Sequence, residues 1–145
     1  MQIPFRVFLV IISLTTLLLS VQAGQKAMSN SRTSSAQVHL SLIQAKICEQ
    51  VKDGSVRNEA VVFSIDKGRI YCFTDFNPVP EKMYIYHKWY RGDILTSKVK
   101  LSLRPPRWTT FSYITIRETD KGPWRVEIID EQGGTHRILR FSITD

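Results

Sequence analysis

The stretch that decides the fold is MYIYHKWYRGDILTSKVKLSL, residues 83–103. It begins with the densest aromatic run in the chain, residues 83–90, and a turn sequence follows at once. Beyond the turn, apolar side chains recur at every second position except Ser97: Leu95, Val99, Leu101 and Leu103. A period of two places one set of side chains on a buried face and the other set in solvent. The stretch therefore predicts two antiparallel strands joined by a tight turn.

The length of this turn decides which side chains of the aromatic run meet the core, because a register change of one residue moves every side chain to the other face. A two-residue turn, Arg91-Gly92, would place His87 opposite Thr96 and expose a His/Trp face to solvent. A three-residue loop, residues 90–92, would place His87 opposite Leu95 on the core face.

We expect the three-residue loop. The two-residue turn would require positive φ at Arg91, which a residue with a long side chain adopts reluctantly. The loop needs the left-handed conformation only at its last position, which Gly92 occupies. The buried face then carries Met83, Ile85 and Trp89, together with His87 as a hydrogen-bonded, partly buried polar residue.

The rest of the chain consists of short β-rich runs separated by turn sequences. Residues 60–65 and 69–74 flank Asp66-Lys67-Gly68 and predict a hairpin. A further strand is expected around Ala45–Gln50, and no convincing helix follows Val51. About seven strands with regular turn signals predict an all-β fold, an immunoglobulin-like antiparallel β-sandwich, with a small β-barrel as the alternative.

Residues 1–23 have the features of a cleavable secretory signal peptide. Arg6 is followed by an apolar run, residues 7–19, and by the small residues of Val21-Gln22-Ala23. The apolar run is shorter than the roughly 20 residues that span a membrane, so we expect cleavage rather than an uncleaved anchor. The predicted organisation is a signal peptide (1–23), a flexible spacer (24–43) and one β-sandwich domain (44–145).

The chain is basic, with 20 Lys and Arg against 13 Asp and Glu and a formal net charge of +7. Signal cleavage removes only Arg6 and leaves 19 basic residues against 13 acidic ones, a net charge of +6. A basic exported protein attracts anionic partners over long range. The expected partner is an envelope protein, a glycan or an anionic surface rather than nucleic acid, and the expected location is periplasmic or extracellular.

Cys48 and Cys72 are the two cysteines of the chain. Export to an oxidising compartment makes a disulfide between them possible, and a loop of this size would stabilise the fold by about 3 kcal/mol. Two buried thiols are the alternative.

No catalytic, metal or cofactor pattern emerges. His39, His87 and His136 are scattered along the chain, and none has partners at metal-ligand spacing. We therefore expect a non-catalytic protein without a metal or cofactor. A small envelope hydrolase that uses His87 is the alternative, and a structural subunit of an envelope assembly is a third possibility.

A candidate binding surface lies on the outward side of the aromatic run. Its residues are tyrosines and basic residues of the two strands: Tyr84, Tyr86, Lys88, Tyr90, Lys98, Lys100 and Arg104. Aromatic rings supply stacking area, and cations attract acidic groups. The competing interpretation is a solvated edge whose charges discourage pairing between sheets.

Four motifs resemble an uncharacterised bacterial family known as domain of unknown function 2914. They are His87-Lys88-Trp89-Tyr90, Arg107-Trp108-Thr109-Thr110-Phe111-Ser112, Gly122-Pro123-Trp124-Arg125-Val126 and Phe141-Ser142-Ile143-Thr144. The resemblance covers about Ala45 to Asp145 and implies an extracytoplasmic module without an assigned activity. It also implies motif positions that belong either to a core or to a site: His87, Trp89, Trp108, Ser112, Trp124 and Arg125. We predict an exported, non-catalytic binding or interaction module of a bacterial cell envelope.

Overall fold

The computed structural model describes residues 38–145, so the predicted signal peptide and most of the predicted spacer lie outside the described residues. These residues form nine strands: β1 Leu42–Lys52, β2 Ser55–Glu59, β3 Val62–Ser64, β4 Arg69–Phe76, β5 Met83–Arg91, β6 Ile94–Leu103, β7 Trp108–Thr115, β8 Gly122–Asp130 and β9 Thr135–Thr144. Two short 3₁₀ turns, Ile65–Lys67 and Glu118–Asp120, complete the regular structure. No helix within residues 38–145 has the length and apolar character needed to cross a membrane.

The strands form two sheets around one hydrophobic core. The four-stranded sheet has the order β2-β1-β4-β7, and the five-stranded sheet has the order β3-β9-β8-β5-β6. Both sheets contribute large buried side chains, such as Ile70 and Phe76 from the first sheet and Trp89 and Ile128 from the second. The predicted all-β sandwich is confirmed, and the sheets do not close into a barrel.

The hairpin between β5 and β6 has neither of the two turns considered from the sequence. Arg91 lies opposite Ile94, so the turn consists of Gly92 and Asp93. Gly92 has a φ of 55°, and a glycine at the first central position is typical of a type II′ turn, whose twist suits a hairpin. The turn therefore needs positive φ at the glycine and not at Arg91.

A β-bulge in β6 restores the inward face of β5 that the sequence predicted. Trp89 lies opposite Ser97 and Tyr90 lies opposite Leu95, which leaves Thr96 as the extra residue. The Thr96 hydroxyl donates a hydrogen bond to the Trp89 carbonyl at 3.0 Å. The extra residue reverses the alternation of faces in β6, so that Leu95 lies on the outer face and is 48% exposed. Its predicted burial opposite His87 is wrong.

The hairpin predicted between residues 60–65 and 69–74 is also wrong. Strand β3 pairs in parallel with β9, whereas β4 pairs with β1 and β7 in the other sheet. The 3₁₀ turn Ile65–Lys67 and Gly68, with a φ of 68°, carry the chain from one sheet to the other. The strand that the sequence did not predict is β2, which forms a hairpin with β1 through Asp53-Gly54.

Cys48 and Cys72 are buried free thiols, so the possible disulfide is not formed. Cys48 lies opposite Tyr71, and Cys72 lies opposite Ile47. Residues opposite each other share a face, and successive residues alternate between faces. The two thiols therefore point to opposite sides of the same sheet.

The burial of both cysteines predicts their reactivity. Native protein prepared without reductant should not react with a thiol reagent, and two thiols per chain should react after unfolding in guanidinium chloride. In a Cys72→Ser variant, as control, one thiol per chain should react after unfolding. If unfolding without reductant exposed no thiol, the cysteines would be bridged and the assignment of free thiols would be wrong.

Candidate functional site

His87 lies at the centre of the sandwich, between the two sheets. The period of two places it on the core face of β5, and it is fully buried. Its Nδ1 lies 2.8 Å from the Ser112 hydroxyl on β7. Its Nε2 lies 3.3 Å from the Thr74 hydroxyl on β4. Both ring nitrogens are therefore hydrogen-bonded to the opposite sheet.

Two further hydrogen bonds extend this pair into a chain. The Trp89 indole Nε1 donates to the Ser112 hydroxyl at 3.0 Å, and the Thr74 hydroxyl donates to the Thr110 carbonyl at 3.4 Å. We call these five residues the polar chain: Trp89, Ser112, His87, Thr74 and Thr110.

The donors of the polar chain all point in one direction. Since the Thr74 hydroxyl gives its single proton to a carbonyl, it can only accept from His87. His87 then carries its proton on Nε2, and Nδ1 accepts from the Ser112 hydroxyl. The same Ser112 oxygen accepts from the indole of Trp89, which can only donate. No buried side-chain nitrogen or oxygen atom in residues 38–145 lacks a hydrogen-bond partner.

Burial keeps the His87 imidazole neutral. It lowers the pKa of His87 from 6.5 to about 3, because the charged form would lose its hydration in the core. At neutral pH the ring can therefore accept at Nδ1 while it donates at Nε2, as the polar chain requires.

The distance between His87 and Ser112 is that of a base paired with a nucleophile. Ser112 is nevertheless only 4% exposed and His87 is fully buried. Neither residue lines the main surface clefts of the described part of the chain. Within residues 38–145, no three His, Cys, Asp or Glu side chains come together as metal ligands would.

The tyrosines of β5 lie on the outer face of the five-stranded sheet, beside the lysines of β6. The Lys100 ammonium lies 3.9 Å from the ring centroid of Tyr84, and the Lys98 ammonium lies 4.3 Å from that of Tyr86. We call this surface the lysine face and define it by Tyr84, Tyr86, Lys88, Lys98 and Lys100. The face combines cations with aromatic rings, as the sequence predicted for these residues.

Lys88 lies directly opposite Lys98 on the neighbouring strand. No carboxylate of the described residues lies within ion-pairing distance of Lys88, Lys98 or Lys100. Glu127 lies directly opposite Lys88 on β8, and its carboxylate pairs with Arg125 at 3.0 Å. The lysine face therefore carries three lysines that form no ion pair, with one carboxylate, that of Glu127, on the strand beside Lys88.

Two other predicted surface residues lie beside the lysine face or away from it. Tyr90 carries the Arg125 guanidinium over its ring, at 4.0 Å. The Arg104 guanidinium lies 5.6 Å from the Trp108 ring, beyond the end of β6. The basic residues of the predicted binding surface are therefore divided: the lysines form the lysine face, and Arg104 belongs to another part of the surface.

The family-motif positions are divided between the core and the surface. His87, Trp89 and Ser112 meet in the polar chain. Trp124 is buried, stacks on Phe141 with 6.2 Å between ring centroids, and donates its indole N–H to the Asp120 carbonyl at 2.7 Å. Trp108 is half-buried, and Arg125 lies on the outer face.

Thr74 and Thr110 were not predicted as members of this site. Thr74 shares the inward face of β4 with apolar residues, Ile70, Cys72 and Phe76. A hydroxyl in an otherwise apolar period-two pattern signals a buried polar group that needs a partner. The sequence contained this signal for Thr74, but it did not identify the partner strand.

Comparisons with known proteins found a matching family model and similar solved structures. Residues 82–143 match the family model described as "Protein of unknown function (DUF2914)", which confirms the predicted family over those residues. No curated protein matches the chain. A crystal structure of β-glucosidase from Listeria innocua in complex with glucose is similar over 74% of this chain, with 10% identity and a TM-score of 0.46, and the chain spans 16% of that protein's length.

The lowered pKa of His87 predicts how stability depends on pH. Between pH 6.5 and pH 3 the unfolded chain binds a proton that the folded chain does not, so acid destabilises the fold. From the two pKa values, this residue alone should lower the free energy of unfolding by about 2 kcal/mol between pH 7.5 and pH 5.

Urea unfolding of the wild type and of a His87→Gln variant over this pH range measures the difference. In the His87→Gln variant, the free energy of unfolding should not show the decrease of about 2 kcal/mol that His87 causes. A His39→Gln variant, changed at an exposed site, should show the same decrease as the wild type. Equal pH dependence of wild type and His87→Gln would show that His87 is not held neutral.

Proposed function

We propose that this domain, whose residues 82–143 belong to the family described as "Protein of unknown function (DUF2914)", is an exported, non-catalytic binding module. Its partner is an anionic glycan of the bacterial cell envelope, and the lysine face is the surface that binds it.

The observation that carries this proposal is the pairing of Lys88 with Lys98. Like charges directly opposite each other on neighbouring strands destabilise a sheet. Within residues 38–145 neither lysine forms an ion pair, and the Glu127 carboxylate opposite Lys88 pairs with Arg125. An anionic ligand would remove the repulsion on binding. The free energy that the sheet loses in the unbound state would then favour the bound state.

The spacing of the lysines suits a polymer with repeated anionic groups. Lys98 and Lys100 emerge on the same side of β6, about 7 Å apart along the strand, and Lys88 lies on the next strand at about 5 Å. The tyrosine rings beneath Lys98 and Lys100 hold the ammonium groups on the surface. The main clefts of the described residues are lined by other side chains. A flat charged face of this kind favours an extended chain over a small molecule.

The enclosure of His87 and Ser112 supports a non-catalytic role over the hydrolase alternative. A general base must come within hydrogen-bond reach of the substrate proton that it removes. His87 uses both ring nitrogens inside the core, and the Ser112 hydroxyl is occupied by Trp89 and His87. The signal-like residues 1–23 support the exported location.

The proposal predicts the effect of reversing two charges. A Lys98→Glu, Lys100→Glu double variant should elute from a heparin column at a clearly lower salt concentration than the wild type, because each lost cation removes a counterion-releasing contact. Its melting temperature should not fall, since Glu opposite Lys88 replaces a repulsive pair by an attractive one.

A Lys52→Glu, Arg57→Glu double variant is the matched control. Both of its residues are exposed on the four-stranded sheet, and the change in net charge is the same. It should elute close to the wild type. Equal loss of retention in both double variants would show that retention depends only on net charge and would contradict the proposed site. Binding to vesicles with anionic lipid but not to heparin would contradict the choice of a glycan.

A further inference from the structure

Three of the four sheet edges in the described residues carry features that discourage an additional strand. β2 is five residues long and contains charged Arg57 and Glu59. β3 is three residues long. β6 carries two lysines and the bulge at Thr96. Short length, charge and bulges are the devices by which proteins protect an edge.

The fourth edge, β7, has none of these devices. Its eight residues, WTTFSYIT, include no charged residue and no proline. Its register with β4 runs without a shift from Trp108 to Thr115. Phe111 is 44% exposed and Tyr113 is 47% exposed on its outer face. β7 is therefore a long, regular and partly apolar edge, which is the kind of edge to which extended peptides add.

Aromatic rings next to the edge form a surface on which the side chains of an added strand could pack. Tyr71, on β4, lies 5.9 Å from the ring of Phe111 and 5.4 Å from that of Tyr113. Within residues 38–145, β7 pairs with β4 alone. Its other side thus offers main-chain donors and acceptors, and the aromatic rings offer contacts for alternate side chains.

The charges around β7 indicate the chemistry of the partner. Arg69, Arg104 and Arg117 surround the strand, and none of them forms an ion pair within the described residues. Arg69 lies over the Tyr113 ring at 5.0 Å, and Arg104 lies over Trp108. Acidic residues at the two ends of an added strand would complement these arginines.

Arginines at the two ends of β7 oppose a second copy of this chain at the edge. If two β7 strands paired antiparallel about Ser112, Arg117 of one copy would lie opposite Arg107 of the other, because both are five positions from the centre. Like charges opposite each other destabilise strand pairing. Arg107 also pairs with Asp75, which reduces this repulsion. An acidic partner segment meets no such repulsion.

We propose that β7 binds an extended segment of a partner protein as an additional strand of the four-stranded sheet. The segment has alternating apolar residues and is flanked by acidic residues. This edge is separate from the lysine face, which lies on the other sheet, and the proposal does not depend on the glycan-binding function.

The first test uses a synthetic peptide, Glu-Glu-Val-Thr-Val-Thr-Val-Glu-Glu, and fluorescence anisotropy with the purified protein. Strand addition engages only one edge of the peptide backbone. N-methylation of alternate residues along that edge should weaken binding at least tenfold, whereas N-methylation along the other edge should change it less than twofold. Equal effects of the two methylated peptides, or no binding of the unmethylated peptide, would overturn the proposal.

The second test uses charge variants of the protein. An Arg104→Glu, Arg117→Glu double variant should bind the peptide at least threefold more weakly, and the Lys98→Glu, Lys100→Glu variant should bind it like the wild type. On heparin, the lysine variant should lose retention and the arginine variant should elute close to the wild type. Failure of the strand-addition proposal can therefore be distinguished from failure of the glycan proposal. The methylated peptides still decide the question if the arginine variant does not fold.

Sedimentation of the protein without peptide tests whether a second copy of the chain occupies the β7 edge. We expect a monomer. A dimer that a Phe111→Asp substitution dissociates would assign the edge to a second copy of the chain and overturn the proposal of a partner segment.

Discussion

The hydrogen bond between Ser112 and His87 is the contact on which the arrangement of the two sheets depends. It joins β7 of one sheet to β5 of the other, and the same hydroxyl receives the indole proton of Trp89. A shift of either strand by two residues, which keeps the same side chains on the core face, would leave several buried polar groups without partners, at a cost of about 1–3 kcal/mol each. Hydrophobic packing alone tolerates such shifts more readily. The polar chain thus selects one alignment of the sheets.

The inward face of β5 was predictable because apolar residues alternate along it, whichever turn follows. The turn itself was not, since the Thr96 bulge compensates for a two-residue turn at Gly92-Asp93, and bulges have no clear signature in a single sequence. The pairing of β3 with β9 joins segments that are about 80 residues apart in the chain. A local pattern contains no information on such a pairing, so the sequence predicts the wrong neighbour for residues 60–65.

The candidate site was predictable in part for the same reason. A period of two identifies the outward residues of β5 and β6, but it does not show that Lys88 faces Lys98, which depends on the bulge. His87 was expected to be a satisfied polar residue, and its full burial and its partners required the fold. Four of the six family-motif positions lie in the core: His87, Trp89, Ser112 and Trp124. The motif therefore describes mainly how the domain is built, and the surfaces proposed for binding consist largely of other residues.

Nitrogen NMR of the His87 ring at pH 6 tests the polar chain most directly. A neutral ring with its proton on Nε2 and a bare, hydrogen-bond-accepting Nδ1 is the predicted state, and it should persist as the pH is lowered towards 5. A proton on Nδ1 would contradict this arrangement, because Nδ1 and the Trp89 indole would both donate to Ser112 and Nε2 would have no proton to give to Thr74. A ring that becomes charged near pH 6.5 would contradict the account, because it would show that His87 is not enclosed between the sheets.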